Sequence, residues 1–554
     1  MTKQNSQTPQ VLPKKADFDR WLITAAIIAL LVVSPIVSVI WIALTPSENI
    51  WPHLVATVLP RYAQNTVILV VCVGALAATV GMLTAWMVTM YRFPGSKLLQ
   101  WLLLLPLAIP AYVGAYALVD FLEYAGPVQT SLRGMFGWQT SRDYMFPEIR
   151  SLWAAVVVLT AALYPYVFLL VRSALREQSA GTYEVARALG AGPVKRLLFV
   201  GLPLARPAIA AGAAIVMMET VSDFGVVTHF SIQTLTTGIF SAWLEGGNRG
   251  AAAQIASLVL MVALILLVVE KNGRRKSRYY QLSGPKRVIV PLTLSGWRGW
   301  VATGLCLIPF VIGFLVPFLV IANHALKNTS QWIDPDLLQA FINTVFVGVV
   351  AAIATVIGAL LMVFSIRQYG RRISTFLMPV AAIGYAAPGA VIAVGILIPL
   401  AAIDHGIADL VEKYFDVDIG LLMTGSAFAV GFSYFIRFFA ISMGAADAAL
   451  GRIAPSLPMA ARSLGKTQAQ TLRQVHFPLI RASIGTAFLL VFIDCVKELP
   501  ATLLLRPFNF NTLSTRVYEK ASLELIGEAS PAALLVIGVG LLAVVLIVRA
   551  DQRG

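Results

Sequence analysis

Four carboxylates stand inside strongly apolar sequence. Glu219 and Asp223 fall in AIVMMETVSDFG, and Asp494 and Glu498 fall in LLVFIDCVKELP. Each pair has i, i+4 spacing, which on a continuous helix puts both carboxylates on one face. Charge inside a membrane span is expensive and marks a functional site by default. An acidic, oxygen-rich lining suits hard cations and repels anions. A second reading stays open. Lys497 could neutralise one carboxylate, and Gly225 and Pro500 point to helix ends near the outer interface, where charge is cheaper. On that reading the four residues serve helix ends and packing.

The elements that would position them are membrane spans. The chain has 554 residues, 58% hydrophobic and 12% charged, with a mean hydropathy of +0.79. Soluble domains carry about 25% charged residues, so this is an integral membrane protein. Apolar stretches of about 20 residues or more, enough to cross a bilayer, lie near 21–44, 64–90, 98–122, 151–171, 207–228 and 250–269. A second set lies near 300–322, 340–366, 374–403, 420–443, 482–505 and 529–548. The fold class expected is all-α and polytopic, with about twelve transmembrane helices. The first run is too long for a signal-peptide core and lacks a clear cleavage site, so it is expected to remain as a span. Cys72, Cys306 and Cys495 sit apart in apolar runs and read as small hydrophobes.

Alternating the loops between two sides sorts the charges. Most of the 42 Lys and Arg fall on one side, among them Lys14, Arg92, Arg187, Lys271, Arg274, Arg371 and Arg473. The other side holds acidic patches such as Asp404 to Asp418. The positive-inside rule makes both termini cytoplasmic. The net charge of +15 is therefore a topology signal and does not point to nucleic acid.

The chain is also a tandem duplication. One constant offset lays Ala186, Arg187, Leu189, Gly190, Pro203 and Arg206 on Ala461, Arg462, Leu464, Gly465, Pro478 and Arg481. The same offset lays Glu219 and Asp223 on Asp494 and Glu498. A slightly longer one lays Asn65-Thr66-Val67 on Asn343-Thr344-Val345, Pro110 on Pro388, and Thr234, Leu235 and Thr237 on Thr512, Leu513 and Thr515. Six spans separate equivalent points, so the two six-helix repeats run parallel and are related by an axis along the membrane normal. The domains read as 1–270, a basic cytoplasmic linker 271–299, and 300–554.

Each half carries one long polar loop, near 182–209 and 457–484, where a plain turn would need a few residues. In the first, Thr182 suits the cap of a short helix from Tyr183 to Leu189, Gly190 its C-terminal stop, and Pro193 the start of a second helix. In the second, Pro458 starts the short helix, Gly465 ends it and Thr467 caps the next. The product is a helix–Gly–helix elbow on the cytoplasmic face. Leu464-Gly465-Lys466-Thr467 imitates the end of a phosphate-binding loop, but Ala460 stands where its first glycine belongs and no strand precedes it.

Glu184-x-Ala186-x3-Gly190, followed thirteen residues later by Pro203, resembles the EAA loop of permeases in binding-protein-dependent ABC importers. The resemblance implies the type I importer permease fold. It also implies that the elbows at Glu184, Ala186 and Gly190, and at Ala461 and Gly465, dock on two copies of a separate cytoplasmic ATPase. Met459 departs from the pattern, since it cannot make the glutamate's charged contact. ETVSDFG, QTLTTGIF and CVKELPATLLLRPFNFNTLST resemble the fused permeases of bacterial ferric iron importers. That implies an inner-membrane subunit, fed by a periplasmic binding protein, that moves Fe3+ while its partner consumes ATP. No covalently bound cofactor and no catalysis by the chain itself are expected. Thiamine importers share the fused design, and polyamine, sulfate and phosphonate permeases share the elbow. A rival of another class is an ion-coupled secondary carrier, but the loop YRFPGSK lacks the basic motif of the major facilitator family. His229 and His476 stand alone and read as structural, and Tyr164-Pro165-Tyr166 reads as a kink with packing aromatics.

Overall fold

A computed structural model describes residues 20–178, 180–275, 290–369, 371–454 and 456–553. Lys3, Lys14, Lys15 and residues 276–289 of the expected linker lie outside the described residues. Among those described, the protein is almost wholly helical. Eleven helices are long and apolar enough to cross a membrane, and a broken pair makes a twelfth span. In the first half they are span 1 (Trp21–Leu44), span 2 (Leu59–Met90), span 3 (Ser96–Ala108 with Ala111–Phe136), span 4 (Leu152–Arg176), span 5 (Pro193–Ser222) and span 6 (Arg249–Lys271). In the second they are span 7 (Trp297–Lys327), span 8 (Pro335–Arg367), span 9 (Gly389–Phe415), span 10 (Phe428–Gly451), span 11 (Leu472–Lys497) and span 12 (Ile526–Leu546).

Several expected boundaries move, each for a backbone reason. The stretch 98–122 is bent by 96° at Ile109-Pro110. The stretch 374–403 is likewise interrupted, since one helix ends at Ala386 and span 9 begins at Gly389. Pro110 and Pro388 occupy the same place in the repeat and share one extended conformation, ψ 140° and 148°. Proline lacks the N–H a helix needs and disfavours helical backbone before it. Spans 5 and 11 stop at Ser222 and Lys497, earlier than the apolar runs 207–228 and 482–505 suggest. They also begin earlier, because the second elbow helix continues into the span. A π-helical turn joins the two segments in each half, at Leu197–Gly201 and Leu472–His476.

The halves exchange their outer helices. One apolar core joins spans 2, 3 and 4 to spans 7 and 12; the other joins spans 8, 9 and 10 to spans 1 and 6. Glycine permits the closest crossings. A Cβ on Gly395 would lie 2.1 Å from the Pro35 carbonyl oxygen of span 1, and one on Gly313 of span 7 would lie 2.4 Å from the Ala161 carbonyl oxygen. Near the end of the linker, Leu292–Thr293 pairs in parallel with Tyr91–Arg92, and beyond it the Thr303 hydroxyl donates to the Pro94 carbonyl at 2.7 Å. These contacts tie the start of the second half to the first.

Candidate functional site

The repeated Asn-Thr and Thr-Leu-x-Thr signatures meet in space. Thr234 and Thr237 close a capping box at the helix Leu235–Phe240, and Thr512 and Thr515 close the same box at Leu513–Ser522. The Asn65 amide donates to the Gln233 carbonyl at 2.8 Å, and the Asn343 amide to the Asn511 carbonyl at 2.9 Å. The Thr66 hydroxyl accepts from Leu235 N–H at 3.0 Å, and that of Thr344 from Leu513 N–H at 2.8 Å. Buried backbone needs such partners in the absence of water. In each half this clamp fixes the helix that follows span 5 or 11 against span 2 or 8.

The four carboxylates line one cavity of about 210 Å³ between the halves. They do not share helix faces in pairs, because the helix ends between the two members of each pair. Asp223 and Glu498 are the first residues beyond spans 5 and 11, with extended backbone, ψ 134° and 125°. Each caps the short helix that follows. Asp223 Oδ1 accepts from Val226 and Val227 N–H at 3.0 and 3.2 Å. Glu498 Oε1 accepts from Ala501 N–H at 2.9 Å, and Oε2 from Thr502 N–H at 3.0 Å and the Thr502 hydroxyl at 2.7 Å. Glu219 and Asp494, one turn earlier, have no hydrogen-bond partner among the described residues and face the cavity.

The cavity also holds cations and phenols. Arg437, in the middle of span 10, donates to Glu498 Oε1 at 2.9 Å, with the carboxylate side chain only 1% exposed. Gly389 makes room for this pair, since a Cβ there would lie 2.2 Å from Arg437 Nη1 and 2.5 Å from Glu498 Oε1. Lys497 donates to the Leu107 carbonyl of the other half at 2.7 Å, and its charge lies within reach of Asp494. Tyr112, Tyr166 and Tyr385 also line the cavity. Sequence reasoning passed over Arg437, Tyr112 and Tyr385, and took Tyr166 for a packing aromatic. The signal for Arg437 was present, as a lone charge in FAVGFSYFIRFFAISM. Of the Tyr164-Pro165-Tyr166 motif, Tyr164 is buried and donates to the Leu103 carbonyl at 3.0 Å, while Tyr166 reaches the cavity. His229 packs edge-on against Tyr116, with ring centroids 4.5 Å apart.

The elbows form as helix–Gly–helix units. The first short helix runs Ala180–Ala188, so Thr182 lies inside it and does not cap it. Gly190 and Gly465 take φ +78° and +80°, the left-handed stop that glycine adopts without strain. Ala191 N–H donates to the Ala186 carbonyl at 3.0 Å, and Lys466 N–H to the Ala461 carbonyl at 3.1 Å. The repeated Ala-x3-Gly spacing is thus the geometry of one helix stop. In the second elbow the helix runs Ser456–Ser463, and Thr467 caps the next helix. Its hydroxyl accepts from Gln470 N–H at 3.3 Å, and the Gln470 side-chain oxygen accepts from Thr467 N–H at 2.9 Å. Glu184 and Met459 are both exposed, as are Leu189 and Leu464 at the tips.

Twelve spans in two repeats, a cavity between them and an exposed elbow in each half define a membrane permease. Residues 77–270 match the family described as the binding-protein-dependent transport system inner membrane component. This marks the chain as a permease of the binding-protein-dependent ABC class and a multi-pass protein of the inner membrane. Along most of its length it is similar to the Fe(3+)-transport system permease protein FbpB 2 of Haemophilus influenzae, with 25% identity over 86% of this chain and 88% of the relative. It is also similar to the sulfate transport system permease protein CysT of Escherichia coli K12, with 30% identity over 34% of this chain and 66% of that protein. The molybdenum transport system permease protein ModB of the same organism matches at 26% identity over 36% of this chain and 86% of its own length.

Proposed function

We propose that the chain is the translocating subunit of an ATPase-driven importer for ferric iron. The reading rests above all on the similarity, over most of both chains, to an Fe(3+)-transport system permease protein, and the four carboxylates around the central cavity agree with it. In this reading a periplasmic protein delivers the cargo, and both termini and both elbows are cytoplasmic. Two copies of an ATPase each grip one elbow, through Glu184, Ala186 and Gly190 on one side and Met459, Ala461 and Gly465 on the other. Their closure moves the spans that continue from the elbows, and so opens the cavity alternately to the two sides. Glu219, Asp223, Asp494 and Glu498 supply the acidic path.

A second reading, an oxyanion importer, is favoured by Arg437 and Lys497 in the same cavity and by the sulfate permease relative. Uptake of radiolabelled ferric iron and of radiolabelled sulfate into vesicles carrying the complete transporter decides between them. ATP-dependent iron uptake without sulfate uptake is expected; the reverse overturns the iron reading. The purified chain alone should bind no nucleotide, and an ATP-binding isotherm from it would remove the separate ATPase.

A further inference from the structure

The halves meet at the cavity through a bond that only one of them can make. The Leu107 carbonyl lies at the end of the short turn Leu105–Ala108, just before the break at Ile109-Pro110. A continuing 3-10 turn would give it the N–H of residue 110, but Pro110 has none. Lys497, the last residue of span 11, takes up that open acceptor from the other half at 2.7 Å. Both residues line the cavity, and among the described residues theirs is the one hydrogen bond that crosses between the halves on its wall. The contacts beside it are apolar. A Cβ on Gly225 would lie 3.2 Å from Leu499 Cδ2, and the Phe224 and Tyr518 rings are 5.6 Å apart. In the repeat, Ser222 stands at the place of Lys497 and Tyr385 at that of Leu107. The Ser222 hydroxyl donates to the Met218 carbonyl of its own helix at 2.9 Å, so the reciprocal bond is not made.

We propose that the bond from Lys497 to the Leu107 carbonyl is a latch that holds the halves together on the side of the cavity away from the elbows, and that its release is a step of alternating access. Span 11 runs unbroken from its elbow to Lys497, so a push on the elbow is delivered along one helix to the latch. Parting the halves pulls the ammonium off the carbonyl, and an ammonium left unpaired away from water is costly. Asp494 limits that cost. It lies one turn back on the same face of span 11, at i, i+3 spacing, and its charge is within reach of Lys497. The ammonium thus has two seats, the Leu107 carbonyl with the halves together and Asp494 with them apart. This inference rests on the alternating-access part of the proposed function and is independent of the cargo.

The test places a reporter cysteine in the cavity wall, Met218→Cys, in a chain carrying Cys72→Ala, Cys306→Ala and Cys495→Ala. Its modification by a membrane-impermeant maleimide is timed in right-side-out and inside-out vesicles that hold the complete transporter. Without nucleotide, Lys497→Met should speed labelling from the side away from the elbows by about tenfold, the factor that loss of one charge-assisted hydrogen bond gives. Labelling from the elbow side should not speed up. Lys497→Arg, which keeps a donor, should restore most of the protection, and Ser222→Ala should label like the parent. With a non-hydrolysable ATP analogue the parent should open on the side away from the elbows. Asp494→Asn, which removes the second seat, should then open less than the parent, in the direction opposite to Lys497→Met; a merely structural role would move both variants the same way. Equal labelling of the parent and Lys497→Met without nucleotide, or a rise that is equal from both sides, overturns the latch. If the analogue still opens the parent in that case, the latch fails and alternating access stands. A parent that the analogue opens on neither side removes the alternating-access reading beneath it.

Discussion

The two halves share a plan at the elbow and differ in how each elbow is held. In the first, Tyr183 packs against Trp86 with ring centroids 5.8 Å apart, and its hydroxyl bonds to the Gln178 side chain. Trp86 fills the notch at Gly201, where a Cβ would lie 2.2 Å from the ring. In the second, Pro458 stands at the tyrosine's position, Phe364 at the tryptophan's and His476 at the glycine's, with the Phe364 and His476 rings 5.5 Å apart. The first elbow is keyed by an aromatic lock and presents a carboxylate; the second is packed differently and presents a thioether. The same division recurs at the cavity, where both halves cap a short helix with a carboxylate but only the second buries an arginine on it. A duplicated fold thus keeps its backbone stops and varies the side chains that tie them down.

The largest effect should come from breaking the asymmetric cap. Glu498→Ala strips the cap and leaves Arg437 buried and unpaired, at a cost of about 3–5 kcal/mol. Asp223→Ala removes only a cap and should cost about 1 kcal/mol. Denaturation of the detergent-solubilised chain measures both, and equal losses would mean that the arginine pairing adds nothing. The elbows come next. Glu184→Ala should lower ATP-driven uptake on the order of tenfold, as loss of a charged interfacial contact worth about 1.4 kcal/mol or more would, whereas Met459→Ala should have a smaller effect; equal uptake by the two variants erases the functional difference between the elbows. The smallest effect lies on the elbow-distal side, where Arg150 spans Glu123 of one half and Glu524 of the other at 3.0 and 2.9 Å. These groups are substantially exposed, so Arg150→Gln should change stability by at most about 1 kcal/mol, and a larger drop in the same denaturation assay would reveal a true clasp between the halves.

The duplication, the spans and the elbow glycines were legible in the sequence because hydropathy, charge placement and Ala-x3-Gly spacing report on them directly. Helix ends inside apolar runs were not. ETVSDFG and CVKELP stay apolar enough to extend a span, yet the backbone turns extended at Asp223 and Glu498, and the i, i+4 reading fails there. Both readings left open for these carboxylates describe part of the geometry, since all four line one cavity while two of them cap helices. Thr182 looked like a cap because its residue type suits one, but the helix starts at Ala180. The exchange of outer helices left no mark, since surfaces facing lipid and surfaces facing another helix are alike apolar. Arg437 was legible and was passed over inside a span.

The exchange of outer helices also sets a schedule. Span 1 leaves the ribosome long before span 10, whose core it joins. About 400 residues of synthesis separate them, which at roughly 5–20 residues per second takes on the order of 20–80 s. Until span 8 follows, span 6 is the one core partner of span 1 that has been made. The chain is therefore most exposed to mispairing and to quality control while it is half finished, and its newborn first half must wait for the second before either core can close.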